Sequence, residues 1–216
     1  MEGISRISAL VRRVALAGLA ACAGAALAQA PPEGGKPTCV AILLHAKASS
    51  AQSLSALAKR IQPACAGRAI EMPWSAKRAG DGLRGDALQE IAAQAKSLRR
   101  EGYKRIVVLG HGLGANAAIA YAAKGDLDAL IALGGDGTTA PAPFAALPAL
   151  TPQLPQHVPV LWLVGSNDPL RERGEDFAFA KAPPHPASRF QLLKSDIGQA
   201  PDAAAGPIQE WIKSLD

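Results

Sequence analysis

The stretch that most constrains this chain is residues 105–121, RIVVLGHGLGANAAIAY. A β-branched run passes through three glycines, Gly110, Gly112 and Gly114, into an alanine-rich segment of helical character. Glycine takes backbone conformations closed to other residues and lets one segment approach another closely. A strand that turns this sharply into a helix belongs to an architecture in which parallel strands alternate with covering helices.

The rest of the chain repeats that alternation. Short apolar runs at 40–44, 69–72, 106–109, 127–133, 160–164 and 189–193 read as about six strands, several of them buried on both faces. Between them, 53–61, 86–100 and 202–215 carry apolar residues at helical spacing, for example Leu88, Ile91, Ala95 and Leu98. A helix is also expected after Asn167-Asp168-Pro169, where Asp168 caps and proline takes the first helical position. Residues 63–67 read as a break and 138–159, rich in proline and alanine, as a covering segment with at most a short helix. The expected fold is α/β, three layers, with a mostly parallel sheet of about six strands and helices on both faces.

Residues 1–30 have the make-up of an export signal: Arg6, Arg12 and Arg13, an apolar run over 14–27, and Ala28-Gln29-Ala30 before Pro31. The reading is a signal peptide over 1–30 and one domain over 31–216, placed in the periplasm or secreted. Leu19-Ala20-Ala21-Cys22 also has the form of a lipoprotein box, which would leave the protein anchored through a lipid on Cys22; an uncleaved anchor is the third reading. Beyond residue 30 the chain keeps 20 Lys+Arg against 17 Asp+Glu, a charge of +3. So small a balance implies no strongly basic partner surface, and without basic clusters interleaved with aromatics nucleic-acid binding has no support. Cys39 opens the first expected strand and Cys65 precedes the second, so both fall near the N-terminal edge of a parallel sheet. In an oxidising compartment they are expected to form a disulfide.

Ligands of open parallel sheets bind beyond the carboxyl ends of the strands, which directs attention to His45, Ala46, Lys47, His111, Leu113, Asp136, Asp168 and Asp196. Four segments there resemble the α/β-hydrolase family: LLHAKASS, VVLGHGLGANAAIAYAA, PVLWLVGSNDPL and LLKSDIGQAP. The resemblance covers nearly the whole of 31–216. It implies a strand end and loop supplying part of an oxyanion hole, a nucleophile elbow of the form G-x-S-x-G, an acid segment and a histidine segment. Set on that pattern, the sequence keeps the acid at Asp168 but has Gly112 at the nucleophile position and Ile197 at the histidine position. The N–H groups of Leu113 and of Ala46 or Lys47 are the implied oxyanion donors, His45 and His111 the structural surroundings, and Asp136 and Asp196 further pocket residues. His185 precedes the last strand and belongs at the opposite sheet edge.

Two functional readings follow. One is a non-catalytic, ligand-binding pseudo-hydrolase; the other is an active hydrolase of small esters or acyl substrates working with non-standard groups such as Asp168 or Asp196. Gly110, Gly112 and Ala115 also fit the dinucleotide fingerprint G-x-G-x-x-A, with Asp136 after the next strand; a motif on the third strand of an exported chain argues against it. No cofactor and no metal are expected, a small-molecule ligand is, and the protein is expected to be a monomer.

Overall fold

The computed structural model describes residues 38–78, 85–135 and 147–215, all within one unit spanning Gly35–Asp216. The expected signal, the lipoprotein box at Cys22 and Asp136 lie outside the described residues. The strands are β1 (Cys39–Leu44), β2 (Ala66–Ile70), β3 (Arg105–His111), β4 (Ala129–Leu133), β5 (Val160–Val164) and β6 (Arg189–Leu192). The helices are α1 (Ser55–Ile61), α2 (Gly85–Arg100), α3 (Leu113–Ala122), α4 (Leu147–Leu150), α5 (Gly174–Phe177) and α6 (Ala205–Lys213). The strands form a single sheet in the order β2-β1-β3-β4-β5-β6, and every pairing is parallel.

Successive residues of a strand face opposite sides of the sheet, and here both sides are apolar. Val40, Ile42, Ile106, Val108, Leu130 and Trp162 pack under α2, α3 and α4. Ala41, Leu43, Val107, Leu109, Ile131 and Leu163 pack under α1 and α6. That double burial is why these strands read as unbroken apolar runs, and it yields the three layers. Helix α3 is buried around almost its whole circumference, so its sequence is apolar throughout and lacks a polar face. Edge strand β6 is the most exposed of the six, with Leu192 46% exposed.

The second strand begins earlier than its apolar run suggests. It spans Ala66–Ile70, pairing in register from Val40↔Ala66 to Leu44↔Ile70, so the expected break at 63–67 is partly strand. Gly67 is needed there because α1 crosses directly over it: a Cβ would lie 2.6 Å from the Ala58 Cα. Met72, expected in the strand, leaves the ladder and donates its N–H to the ring of His45. The disulfide joins Cys39 to Cys65 at the start of both strands, Cα–Cα 4.8 Å. After Asp168 the chain makes turns, with the short α5 and a 3-10 turn, Phe179–Lys181, further on; Arg171 reaches back to the carbonyls of Gly165 and Leu193 and holds the segment against the ends of β5 and β6. Covering segment 138–159 contributes α4 and one 3-10 turn, Thr151–Gln153, among its described residues.

Candidate functional site

The strand order reverses between β1 and β3, and a crevice opens at such a switch point beyond the strands' carboxyl ends. Gly112 stands next to this switch point, at the junction of β3 and α3, with φ 56° and ψ −119°. A residue with a side chain is strained in that region. The flanking glycines have a different cause. A Cβ on Gly110 would collide with the carbonyl of Gly114, and one on Gly114 with the carbonyl of Leu44. The corner therefore lets α3 descend onto β1 and β3 at backbone-to-backbone distance. At Gly112 there is room: a Cβ would meet only Ala46, at 3.2 Å from its Cβ.

The loop after β1 forms the facing wall. His45 is fully buried, its Nδ1 donating to the Ala46 carbonyl (2.8 Å) and its Nε2 accepting the Met72 N–H (3.1 Å). Both ring nitrogens are thus committed with the proton on Nδ1, and burial holds its pKa below the usual histidine range, against the Ala46 hydrogen bond and the Glu71 charge. Its own carbonyl accepts the Trp74 indole N–H at 3.0 Å, and Trp74 packs edge-on to the ring. His45 therefore ties the end of β1 to the segment after β2 and sets where Ala46 and Lys47 stand. Ala48 then takes φ 54°, turning the chain back beside the crevice. Leu113 opens α3, so its N–H belongs to the first turn, which has no intrahelical acceptor. His111 is half-buried on the other side of Gly112; burial lowers its pKa, with the neighbouring His45 adding to the effect.

On the far side, the Gly112 N–H donates to the Leu133 carbonyl (3.1 Å), and β4 is followed by Gly134 at φ 61°. A Cβ on Gly134 would run into Asp168 Oδ2, so the carboxylate rests on bare backbone. Asp168 Oδ1 accepts the Leu170 N–H at 2.7 Å, capping the turn that follows. Burial pushes its pKa up, offset by that hydrogen bond, and Asp196 adds to the rise. Asp196 accepts from Asn167 Nδ2 (2.9 Å) and the N–H groups of Gly198 and Gln199, which lower its own pKa, the Asn167 bond most.

The structure thus groups Ala46, Lys47, His45, His111, Gly112 and Leu113 at the carboxyl ends of β1 and β3, and Asp168 and Asp196 beyond those of β5 and β6, with Asp168 against Gly134. It does not bring Ile197 to the crevice. That side chain is 1% exposed and packs with Ala204, Ala205 and Ile208 beneath α6. From the same loop, the charge of Asp196 adds to the raised pKa of Asp168. His185 lines a depression with Thr38 and Lys104 at the opposite edge of the sheet. Sequence reasoning missed Asn116, fully buried in α3 beside Gly135, and the pair Glu71 and Ser75, whose hydroxyl donates to the carboxylate and pins the segment after β2. A polar residue in the apolar run of α3 was the available signal for Asn116. Nothing in the sequence marks Glu71 and Ser75 as a pair.

Neither a protein-family model nor a curated protein matches the sequence. Solved structures do. The chain is similar to Est1E from Butyrivibrio proteoclasticus, solved with ferulic acid bound, at TM-score 0.65 and 14% identity over 85% of this chain and 92% of that one. It is similar to a structure from the metagenome-derived lipolytic enzymes LipS and LipT, at TM-score 0.64 and 10% identity over 82% and 94%. The match to MGS-MChE2, an alpha/beta hydrolase enzyme from the metagenome of lagoon sediments at Mar Chica, Morocco, has TM-score 0.62 and 16% identity over 82% and 92%. With the sheet order, the glycine corner and these likenesses together, the chain has the α/β-hydrolase fold.

Proposed function

We propose that this protein is an exported pseudo-hydrolase: it binds a small ligand through a carboxylate or carbonyl oxygen at the backbone amides around Gly112, without hydrolysing it. The observation that carries this is Gly112 itself, held at φ 56° and ψ −119° with no side chain. Acyl transfer through a covalent intermediate needs a nucleophile and a base within hydrogen-bond reach. Gly112 supplies no nucleophile, and the sequence has no histidine after the last strand. Backbone donors do not depend on side-chain identity, so the amides of Leu113 and of Ala46 or Lys47 remain available to an oxygen. The ferulic acid bound to Est1E makes small carboxylic acids the first class to test. Export is supported by the leader-like residues 1–30 and by the disulfide, which persists in oxidising compartments.

The alternative, an active hydrolase, is favoured by one observation: Asp168 is a half-buried carboxyl with a raised pKa, as a proton-transfer group needs. A panel of aryl and alkyl esters separates the two. The pseudo-hydrolase shows no turnover above that of Asp168→Ala, and becomes reactive to a fluorophosphonate only in Gly112→Ser with Asp196→His. Wild-type turnover abolished by Asp168→Ala would overturn this reading and establish the other.

A further inference from the structure

Helices α2 and α3 pack side by side on one face of the sheet, and where their outer flanks meet both carry small residues, Ala92 and Ala95 on α2 and Ala120 on α3. Side chains of that size leave a groove of about 560 Å³ between the helices, lined also by Leu88 and Tyr121. Its volume lies in the range of small-molecule sites.

One end of the groove is held by specific contacts. The Tyr121 hydroxyl donates to the Asp126 carbonyl at 3.3 Å, and only glycine fits at 125, where a Cβ would stand 2.4 Å from the tyrosine ring. Arg99 reaches from the last turn of α2 to Asp126 and Asp128, at 3.3 and 2.7 Å. At the other end stand Leu88 and Ala92, with Gln89 as the polar residue of that end. From Leu88 to Arg99 the α2 wall is roughly 16 Å long at the helical rise.

The charge gathers at the end held by Arg99. Lys96 and Lys124 line the groove there, both exposed, and neither forms an ion pair among the described residues. Along α2, the positions one turn from Lys96 hold Ala92, Ala93, Arg99 and Arg100, so no acid of its own helix can neutralise it. Arg99 between two aspartates leaves that cluster one charge negative, and the two lysines turn the balance positive. An elongated apolar trough that ends in cations is complementary to an apolar chain with an anionic head.

We propose that the groove between α2 and α3 binds a free fatty acid, its alkyl chain along the alanines and its carboxylate at Lys96 and Lys124. The site is separate from the amides around Gly112 and does not depend on them. Gly112 stands before α3 and Lys124 after it, roughly 18 Å apart at the helical rise. A competing account is that Lys124 only complements the negative end of α3. That account predicts an effect on stability and none on a ligand.

The test is calorimetric titration of the full chain with dodecanoate, kept below its micelle concentration, and with dodecyltrimethylammonium, which carries the same chain under a cation. Wild type is compared with Lys96→Glu/Lys124→Glu and with Ala92→Trp, which fills the trough. The expected result is saturable binding of dodecanoate, weaker binding of the cation, a loss on the order of tenfold in the lysine variant, and no saturable binding in Ala92→Trp. All three positions are exposed, and melting curves check the fold. Ala92→Asp, which sets a carboxylate in the path of the chain, serves with the same expected loss if the indole prevents folding. Absence of saturable dodecanoate binding by wild type, equal binding of the two amphiphiles, or a loss under threefold in the lysine variant overturns the proposal. So does dodecanoate binding that survives filling of the trough, which would place the ligand elsewhere. A dimer on size exclusion that Ala92→Trp dissociates would assign the groove to a second copy and overturn it too.

Discussion

Gly112→Ser restores the residue type of a G-x-S-x-G elbow and measures what its absence is worth to the fold. Two costs can be read from the structure. A side chain held at φ 56° and ψ −119° costs about 1–3 kcal/mol. The new Cβ meets the Ala46 Cβ at 3.2 Å, which needs a shift of a few tenths of an ångström in a loop that is half-exposed; this adds about 0.5 kcal/mol or less. The expected destabilisation is therefore about 1–3.5 kcal/mol, or roughly 2–14 °C in melting temperature for a domain of this size. Urea unfolding with matched m-values gives the first figure and calorimetry the second. Gly110→Ala and Gly114→Ala are the controls. Each drives a methyl into a carbonyl of the packed corner, and no soluble folded protein is expected from either. A Gly112→Ser variant as stable as wild type would refute the claim that the elbow is strained. A folded Gly114→Ala would refute the claim that α3 sits on β1 at backbone contact.

Asp168→Ala removes the acceptor of the Leu170 N–H and should cost about 1 kcal/mol, as loss of a capping carboxylate does. Asp168→Asn keeps that acceptor. Because the folded-state pKa of Asp168 is raised, its contribution to stability is full below the unfolded-state pKa and lost as pH rises through the folded one. Asp168→Asn should therefore equal or exceed wild type at pH 7 and lose that advantage in acid, checked by melting curves at both pH values. His45 has the opposite sign. Its folded pKa is lowered, so its contribution is complete above the unfolded value of about 6.5 and lost as pH falls below it. His45→Gln should flatten the wild-type decline in stability between pH 7 and 5; an unchanged slope would place the titrating group elsewhere. Cys39→Ser with Cys65→Ser opens a cross-link of sequence separation 26 and should cost about 3.5 kcal/mol on a chain-entropy basis, measured by denaturant unfolding against the oxidised protein.

The sheet was legible because its strands are buried on both faces: apolar runs such as 160–164 then stand out without any alternation to decode. The glycine corner was legible because close backbone approach admits no other residue at Gly110 and Gly114. Short-range signals failed where a contact from elsewhere decided the backbone. Gly67 reads as a chain breaker, yet it is strand because Ala58 crosses it. Asn-Asp-Pro reads as a helix start, yet turns follow, with Arg171 binding two strand-end carbonyls.

The residues of the site divide in the same way. The sequence by itself determined that no serine stands at position 112, that no histidine follows the last strand, and that two cysteines open neighbouring strands; these are matters of identity and order. Only the tertiary structure decided that Ile197 turns into the core while the neighbouring Asp196 bonds Asn167 at the surface, because one residue of shift in a loop exchanges a buried direction for an exposed one.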